Sequence, residues 1–139
     1  MAANSRFAVA THILAALALK KGEKVSSTYL GESVNTNPVV IRRILLDLQK
    51  AGFIETITGK NGGTQLKAAP KDVSLRKIYE AVDDGSIFAY NPAAPNKKCP
   101  LSCKMKGVLA PIFQSVEQAL EKDLEKVTLE DVVKKLNKE

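Results

Sequence analysis

The chain is poor in the residues that most enzyme and metal chemistry uses. Among its 139 residues are one histidine, His12, and two cysteines, Cys99 and Cys103. Two thiols four positions apart are no disulfide framework. No His/carboxylate set has metal-ligand spacing. Two Cys-x-x-x-Cys segments brought together in a dimer could supply four sulfurs, but nothing in the sequence places them close enough, so no metal site is expected. No nucleophile stands beside a base, and no Gly-rich loop lies between a strand and a helix to hold a nucleotide phosphate. An enzyme reading has no residues to stand on. His12 falls among the apolar positions of a helical pattern, where an ordinary packed or surface histidine is expected. Long apolar runs are missing too. Nothing approaches the roughly 20 residues of a membrane span, and the opening stretch MAANSRFAVATHILAALALKKG, interrupted by Arg6, Thr11 and His12, is unlike a secretory signal. There is no internal repeat and no low-complexity tract. These absences imply a cytoplasmic chain with no membrane contact.

What is present is ordinary in bulk and uneven in detail. The hydrophobic fraction is 45% and the net charge +6, the composition of a globular protein with room for one core and a helical appendage. Residues 1–70 carry nine basic and four acidic groups, residues 71–139 twelve and eleven. The positive excess therefore travels with the first half, where a polyanionic partner would want it. A merely soluble basic surface is the alternative, and charge alone does not separate the two.

Residues 27–67 are the most informative segment. STYLGESV, NTNP, VVIRRILLDLQKAG and FIETITGKNGGTQLK follow one another. They predict a short helix, a tight turn, a second helix, and two strands around a Gly-rich tip. That order is a winged helix-turn-helix. Asn37 is a suitable N-cap and Pro38 suits the first helical position, where a missing N–H costs nothing. Ile41, Ile44, Leu45 and Leu48 then form an apolar face, leaving Val39, Arg42, Arg43 and Leu46 on another. Two arginines on the outer face of such a helix suit the major groove, because a guanidinium fork matches the O6/N7 edge of guanine. Gly52 ends the helix. Strands are expected over 53–58 and 64–67, with Lys60 and Asn61 projecting from the turn between them. Ahead of this segment a helix is expected over 5–19, then a polar break at Lys20–Glu23, then a helix over 28–34 capped by Ser26 or Ser27.

After a linker at 68–71, Ser74 is expected to cap a helix with Leu75, Ile78, Tyr79 and Val82 on one face, stopped by Asp84-Gly85. Residues 89–98 form a loop. A long helix follows, with Met105, Leu109, Ile112, Val116 and Leu120 recurring on an apolar stripe, and Pro111 predicts a kink or break near residue 107. Thr128 and Asp131 have capping-box spacing and open a short last helix. The fold class is thus mainly α with a small β-wing. Residues 1–70 are the winged part; residues 71–139 are the connecting helix, loop and dimerisation helices, all in one compact chain.

At this point the chain resembles the Rrf-two family of winged-helix bacterial transcription regulators, over almost its whole length. SRFAVATHIL is similar to the family's opening helix, KAGFIETITGKNGGTQL to its helix end and wing, APKDVSLRKIYEAVDDG to its connecting helix, CPL to the lead into its long helix and VTLEDVV to its closing helix. The resemblance implies a homodimer paired through the long helix, presenting two winged heads to a pseudo-palindromic operator. Many members bind an iron–sulfur cluster through three cysteines in the loop before that helix. Here the loop is NPAAPNKKCPLSC. Cys99 matches the last of the three, the earlier two are absent, Ser102 stands where some members have histidine, and Cys103 is an additional thiol. A cluster takes about four protein ligands, so the chain resembles the subgroup without one and no cofactor is expected. Thr58 stands where many relatives carry an arginine before the wing's first glycine.

The leading expectation is a DNA-binding regulator, a repressor, whose partners are duplex operator DNA and a second copy of itself. The expected contacts are Val39, Arg42, Arg43, Lys60, Asn61 and Asn37, whose main role is the cap. Ser27, Thr28, Tyr29 and Arg6 are phosphate candidates, because helix N-termini offer free N–H groups to anions. The bland reading of the arginines and Lys60 is a solvated surface. A second class is a protein-interaction module that uses the same face. A third makes Cys99, with Cys103, a redox input: a thiol beside Pro100 at a helix start, near Lys97, Lys98 and Lys104, is expected to favour its thiolate. Its alternative is a leftover thiol that only packs.

Overall fold

Ala10, Ile13, Leu14 and Leu17 recur at helical spacing and turn one stripe of α1 (Ser5–Leu19) inward, where all four are buried. The structure, a computed structural model, describes residues 5–20, 22–83 and 87–138. Lys21, part of the break expected after α1, lies outside the described residues. Ser26, not Ser27, caps α2 (Ser27–Val34), its hydroxyl accepting from the Tyr29 N–H. The helix ends at Asn35, in the left-handed region at φ +59°, which asparagine tolerates better than most residues. Two residues on, Asn37 Oδ1 accepts from the Val39 N–H at 2.8 Å and Pro38 takes the first turn of α3 (Pro38–Lys50). Ile41, Ile44, Leu45 and Leu48 face the core. Gly52, at φ +83°, reverses the chain, and the Phe53 N–H returns to the Leu48 carbonyl.

The wing pairs β1 (Ile54–Ile57) antiparallel with β2 (Gly63–Leu66), Ile54 opposite Leu66 and Ile57 opposite Gly63. Both strands are shorter or shifted by a residue relative to the alternation in the sequence. Gly62 is what lets the turn close: a Cβ there would stand 2.0 Å from the Ile57 carbonyl oxygen. Val25 and Thr64 exchange two backbone hydrogen bonds of 2.8 Å, which ties the wing to the segment just before α2.

Beyond the wing, Pro70–Asp72 is a 3-10 turn rather than an open linker. Ser74 caps α4 (Leu75–Val82), which buries Ile78, Tyr79 and Val82. Phe7 meets the Tyr79 ring edge-on at 5.4 Å, and burial pushes the phenol up to about 12. Asp83 is the C-cap; the Asp84-Gly85 stop lies outside the described residues.

Of the kink or break expected near residue 107, the break does not occur: α5 (Pro100–Glu125) is one uninterrupted helix of 26 residues, about 39 Å long at 1.5 Å per residue. Pro111 removes one donor and crowds the carbonyl four residues back, which belongs to Gly107. That residue is exposed, with open space where a Cβ would be. The last helix, α6 (Leu129–Leu136), opens on a reciprocal cap. Thr128 Oγ1 accepts from the Asp131 N–H at 3.1 Å, and Asp131 Oδ2 accepts from the Thr128 N–H at 2.9 Å. The Thr128 N–H holds the Asp131 carboxyl below the usual carboxylate range. Backbone bonds of 2.8 Å from Leu129 to Val73 and from Leu75 to Val127 fold α6 back onto the winged part. Val73 and Leu129 thereby join the same core as Ile13, Leu30 and Ile44.

Candidate nucleic-acid interface

The outer face of α3 is built from what its core face leaves over. Val39, Arg42, Arg43 and Leu46 all point to solvent, Val39 at 50% and Leu46 at 57% exposure. Among the described residues no salt bridge holds either arginine. A trough of about 620 Å³ runs between α3 and the wing, with Arg42 and Leu46 on one wall, Thr58 and Gly59 on the other, and Ser26 and Ser27 at its end. The start of α2, the second helix of the pair and the wing thus share one side of the molecule. Ser27 and Thr28 are exposed in the first turn of α2, and Tyr29 is exposed with Lys20 Nζ 5.0 Å from its ring centroid. Lys60 and Asn61 are exposed at the wing tip, and Lys24 Nζ donates to the Asn61 carbonyl at 3.3 Å.

Lys24 therefore adds a cation beside the wing tip that the sequence reading did not choose, whereas Lys20 and Tyr29 line a separate hollow with His12 of α1 and Val132 of α6. Lys24 lies outside the helix-turn-helix in sequence and reaches the wing only by tertiary packing. Arg6 is a correction in the other direction. Its Nη2 lies 2.5 Å from Asp47 Oδ2, a half-buried ion pair joining α1 to α3, so it is a tie between helices rather than a phosphate ligand. Asn37 is exposed, but its Oδ1 is engaged by the Val39 N–H. His12 is exposed, with Nε2 2.9 Å from Ser33 Oγ, bracing α1 against α2.

At the other end of the chain, α5 buries none of its residues. One side is covered. Phe88 stacks on Phe113 at 4.7 Å and Tyr90 leans on the same ring at 5.5 Å, while Lys106 Nζ sits 5.1 Å above Tyr90. From α4, Arg76 reaches Glu121 at 3.4 Å and Glu125 at 3.9 Å. The opposite side is bare: Leu101, Met105, Val108, Ile112 and Val116 are exposed at helical spacings. Met105, Ile112 and Val116 were expected there. Leu109 and Leu120 were too, but they are half-buried on the shoulder of this stripe, and Leu101 and Val108 take their place on its crest. Signal for both was present in the sequence, since each stands four residues before a residue of the stripe, Leu101 before Met105 and Val108 before Ile112.

Cys99 holds the N-cap position of α5 with Pro100 in the first turn, and Cys103 is exposed one turn on. Cys103 Sγ donates to the Asn96 carbonyl at 3.6 Å, and the Asn96 N–H donates to Ser102 Oγ at 2.8 Å. Ser102 is thus a staple for the loop. Among the described residues no group of three His, Cys, Asp or Glu side chains gathers here. Two thiols fall short of the about four ligands that an iron–sulfur cluster takes, so the residues present in one chain do not fit such a group. Among the described residues no helix is long and apolar enough to cross a membrane.

Comparison with known proteins agrees with this geometry. The Rrf2 family, described as iron-dependent transcriptional regulators, matches residues 3–135. The YwnA protein of Bacillus subtilis, classed as an HTH-type transcriptional regulator, is 42% identical over 96% of this chain and 98% of its own length. A solved structure described as a DNA-binding protein is 38% identical, covers 91% of this chain and 97% of its own, and superposes with a TM-score of 0.72. A transcriptional regulator from Lactobacillus plantarum, 29% identical, covers 96% of this chain and 90% of its own with a TM-score of 0.83. All three are described as transcriptional regulators or DNA-binding proteins.

Proposed function

The chain belongs to the Rrf2 family of transcriptional regulators, and from that premise we propose that it is a homodimeric repressor reading a pseudo-palindromic operator. One observation carries the reading: two unpaired arginines stand on the outer face of α3, beside a trough whose far wall is the wing. In this arrangement α3 lies in the major groove, its first turns at the base edges, and the wing tip with Lys60 meets the adjacent backbone. Ser27 and Thr28, at the start of α2, offer their N–H groups to a phosphate. The second copy joins along Leu101, Met105, Val108, Ile112 and Val116, a contiguous apolar stripe that the described residues leave 42–65% exposed, which supports pairing. A protein that reads chromosomal DNA works in the cytoplasm.

The test is a site selection on random duplexes followed by binding isotherms at several salt concentrations. Arg42→Ala and Arg43→Ala should each cost about 1–3 kcal/mol where the lost contact is to a base, and relax preference at one position per half-site. Lys60→Ala should weaken binding on all sequences and lower the salt slope by about one. A double arginine variant that binds like the parent would remove α3 from the interface. Binding that neither prefers a sequence nor falls with salt would favour a protein-interaction module instead.

A further inference from the structure

We infer that Val39 and Leu46 read thymine, each through the C5-methyl group of one base in the operator half-site. The inference rests on the DNA-reading role proposed for α3 and specifies what that helix recognises. Exposed single aliphatic side chains are common and need no explanation. These two differ in where they stand. They lie on the same face of α3 as Arg42 and Arg43, three or four residues from one or the other, at 50% and 57% exposure. A face that only tracked phosphates would gain nothing from a valine and a leucine. Base edges in the major groove offer nitrogen and oxygen donors and acceptors, which an aliphatic chain cannot satisfy. The one apolar group they offer is the thymine methyl. Two aliphatic residues beside two arginines are therefore matched by thymines beside guanine.

Val39 is well prepared for this. It occupies the second position of α3, and residues near the N-terminus of such a helix reach base edges. Pro38 precedes it with a restricted φ, and the Val39 N–H is held by Asn37 Oδ1 at 2.8 Å. Its branched side chain has one strongly preferred rotamer in a helix, so its methyl groups are aimed before DNA arrives. Leu46 is seven residues further on, about 10.5 Å along the axis. That spans at most about three base steps of 3.4 Å. The expected half-site has two thymines no more than that far apart, on either strand, with the bases met by Arg42 and Arg43 between them.

The experiment replaces thymine by deoxyuridine, which removes only the methyl, at each position of the selected operator in turn. Binding is measured for the parent, Val39→Ser and Leu46→Ala. Both side chains are at least half exposed and neither belongs to the buried core, so the variants fold. For the parent, deoxyuridine at the two reading positions should weaken binding about fourfold each, the ratio carried by burial of one methyl group. Val39→Ser should erase the penalty at one of those positions and Leu46→Ala at the other, with the rest unchanged. An operator bound with sequence preference and salt dependence, but indifferent to deoxyuridine everywhere, overturns this inference and leaves the DNA-reading role standing. So does a methyl penalty that persists in both variants. Failure to select or bind any duplex overturns the role and the inference together.

Discussion

Replacing Ile112 by glutamate should convert the protein from dimer to folded monomer, and the size of the effect follows from exposure. Ile112 is 52% exposed, between Val108 at 56% and Val116 at 45% on the same stripe. Complete burial of an isoleucine is worth roughly 1.5–3 kcal/mol, and about half of that is still available to a partner. Each copy therefore forfeits about 1 kcal/mol of apolar burial, and a two-fold axis counts it twice. The new carboxylate adds a desolvation cost of several kcal/mol if the stripe still closes over it. The loss exceeds about 3 kcal/mol, more than a hundredfold in the dimer constant. The fold itself should survive, because α5 contributes no buried residue and the core lies among α1, α2, α3, α4 and α6. Sedimentation equilibrium across a range of concentrations, with circular dichroism to confirm helix content, reads both halves of the claim. Gln114→Glu is the control, since it adds the same charge on α5 away from the stripe. An unmodified chain that sediments as a monomer at tens of micromolar, or an Ile112→Glu chain that sediments like the parent, refutes the argument.

Two further outcomes follow from the local chemistry. Gly62→Ala would place a Cβ 2.0 Å from the Ile57 oxygen and 2.9 Å from its carbonyl carbon. Both are backbone atoms, so the wing must open, at a cost of about 1–3 kcal/mol. Amide exchange at 63–66 should speed up and operator affinity should fall; parent-like protection of the wing would show that the turn has room. Thr128→Ala removes half of the α6 cap and should cost about 1 kcal/mol in denaturant unfolding. Its partner adds a pH signature. The folded Asp131 carboxyl sits below its ordinary value, so its contribution is complete above the unfolded carboxylate value of about 4 and disappears as pH falls through the folded one. Asp131→Asn should therefore differ from the parent at neutral pH and converge with it in acid. Equal stability of the two at neutral pH would sink the cap argument.

The winged half was legible because its signals are local. Asn37, Pro38 and Gly52 each do their work within a few residues of themselves, and a 3.6-residue period sorted the faces of α3 without any tertiary knowledge. What the sequence hid lies in long-range pairings. Arg6 and Asp47 are 41 positions apart and Lys24 and Asn61 are 37 apart, so the capture of one cation and the recruitment of the other leave no periodic trace. The stripe on α5 was off by its shoulder for the same reason. Periodicity showed a broad apolar surface, but which side the chain covers itself is decided by Phe88 and Tyr90 stacking on Phe113 and by Arg76 reaching Glu121. Pro111 did not break α5, because losing one donor and crowding one carbonyl is a local cost that the rest of a 26-residue helix can carry.

Core and reading face are drawn from one 13-residue helix, and the way they interleave has an energetic consequence. Ile41, Ile44, Leu45 and Leu48 are fixed by packing, so changes there cost stability and alter recognition only through the position of the helix. Val39, Arg42, Arg43 and Leu46 make no core contact, so substitution at them is close to neutral for folding. Their identities are free to follow an operator, while the cap at Asn37 and the turn at Asn35 hold the helix in place. The separation is sharpest between adjacent residues. Leu45 is 8% exposed and Leu46 57%, a step of about 100° around the axis at 3.6 residues per turn. A leucine that packs is thus followed directly by a leucine that is more than half exposed, and on a face with two arginines that no salt bridge holds among the described residues, that second leucine is best explained by what binds there.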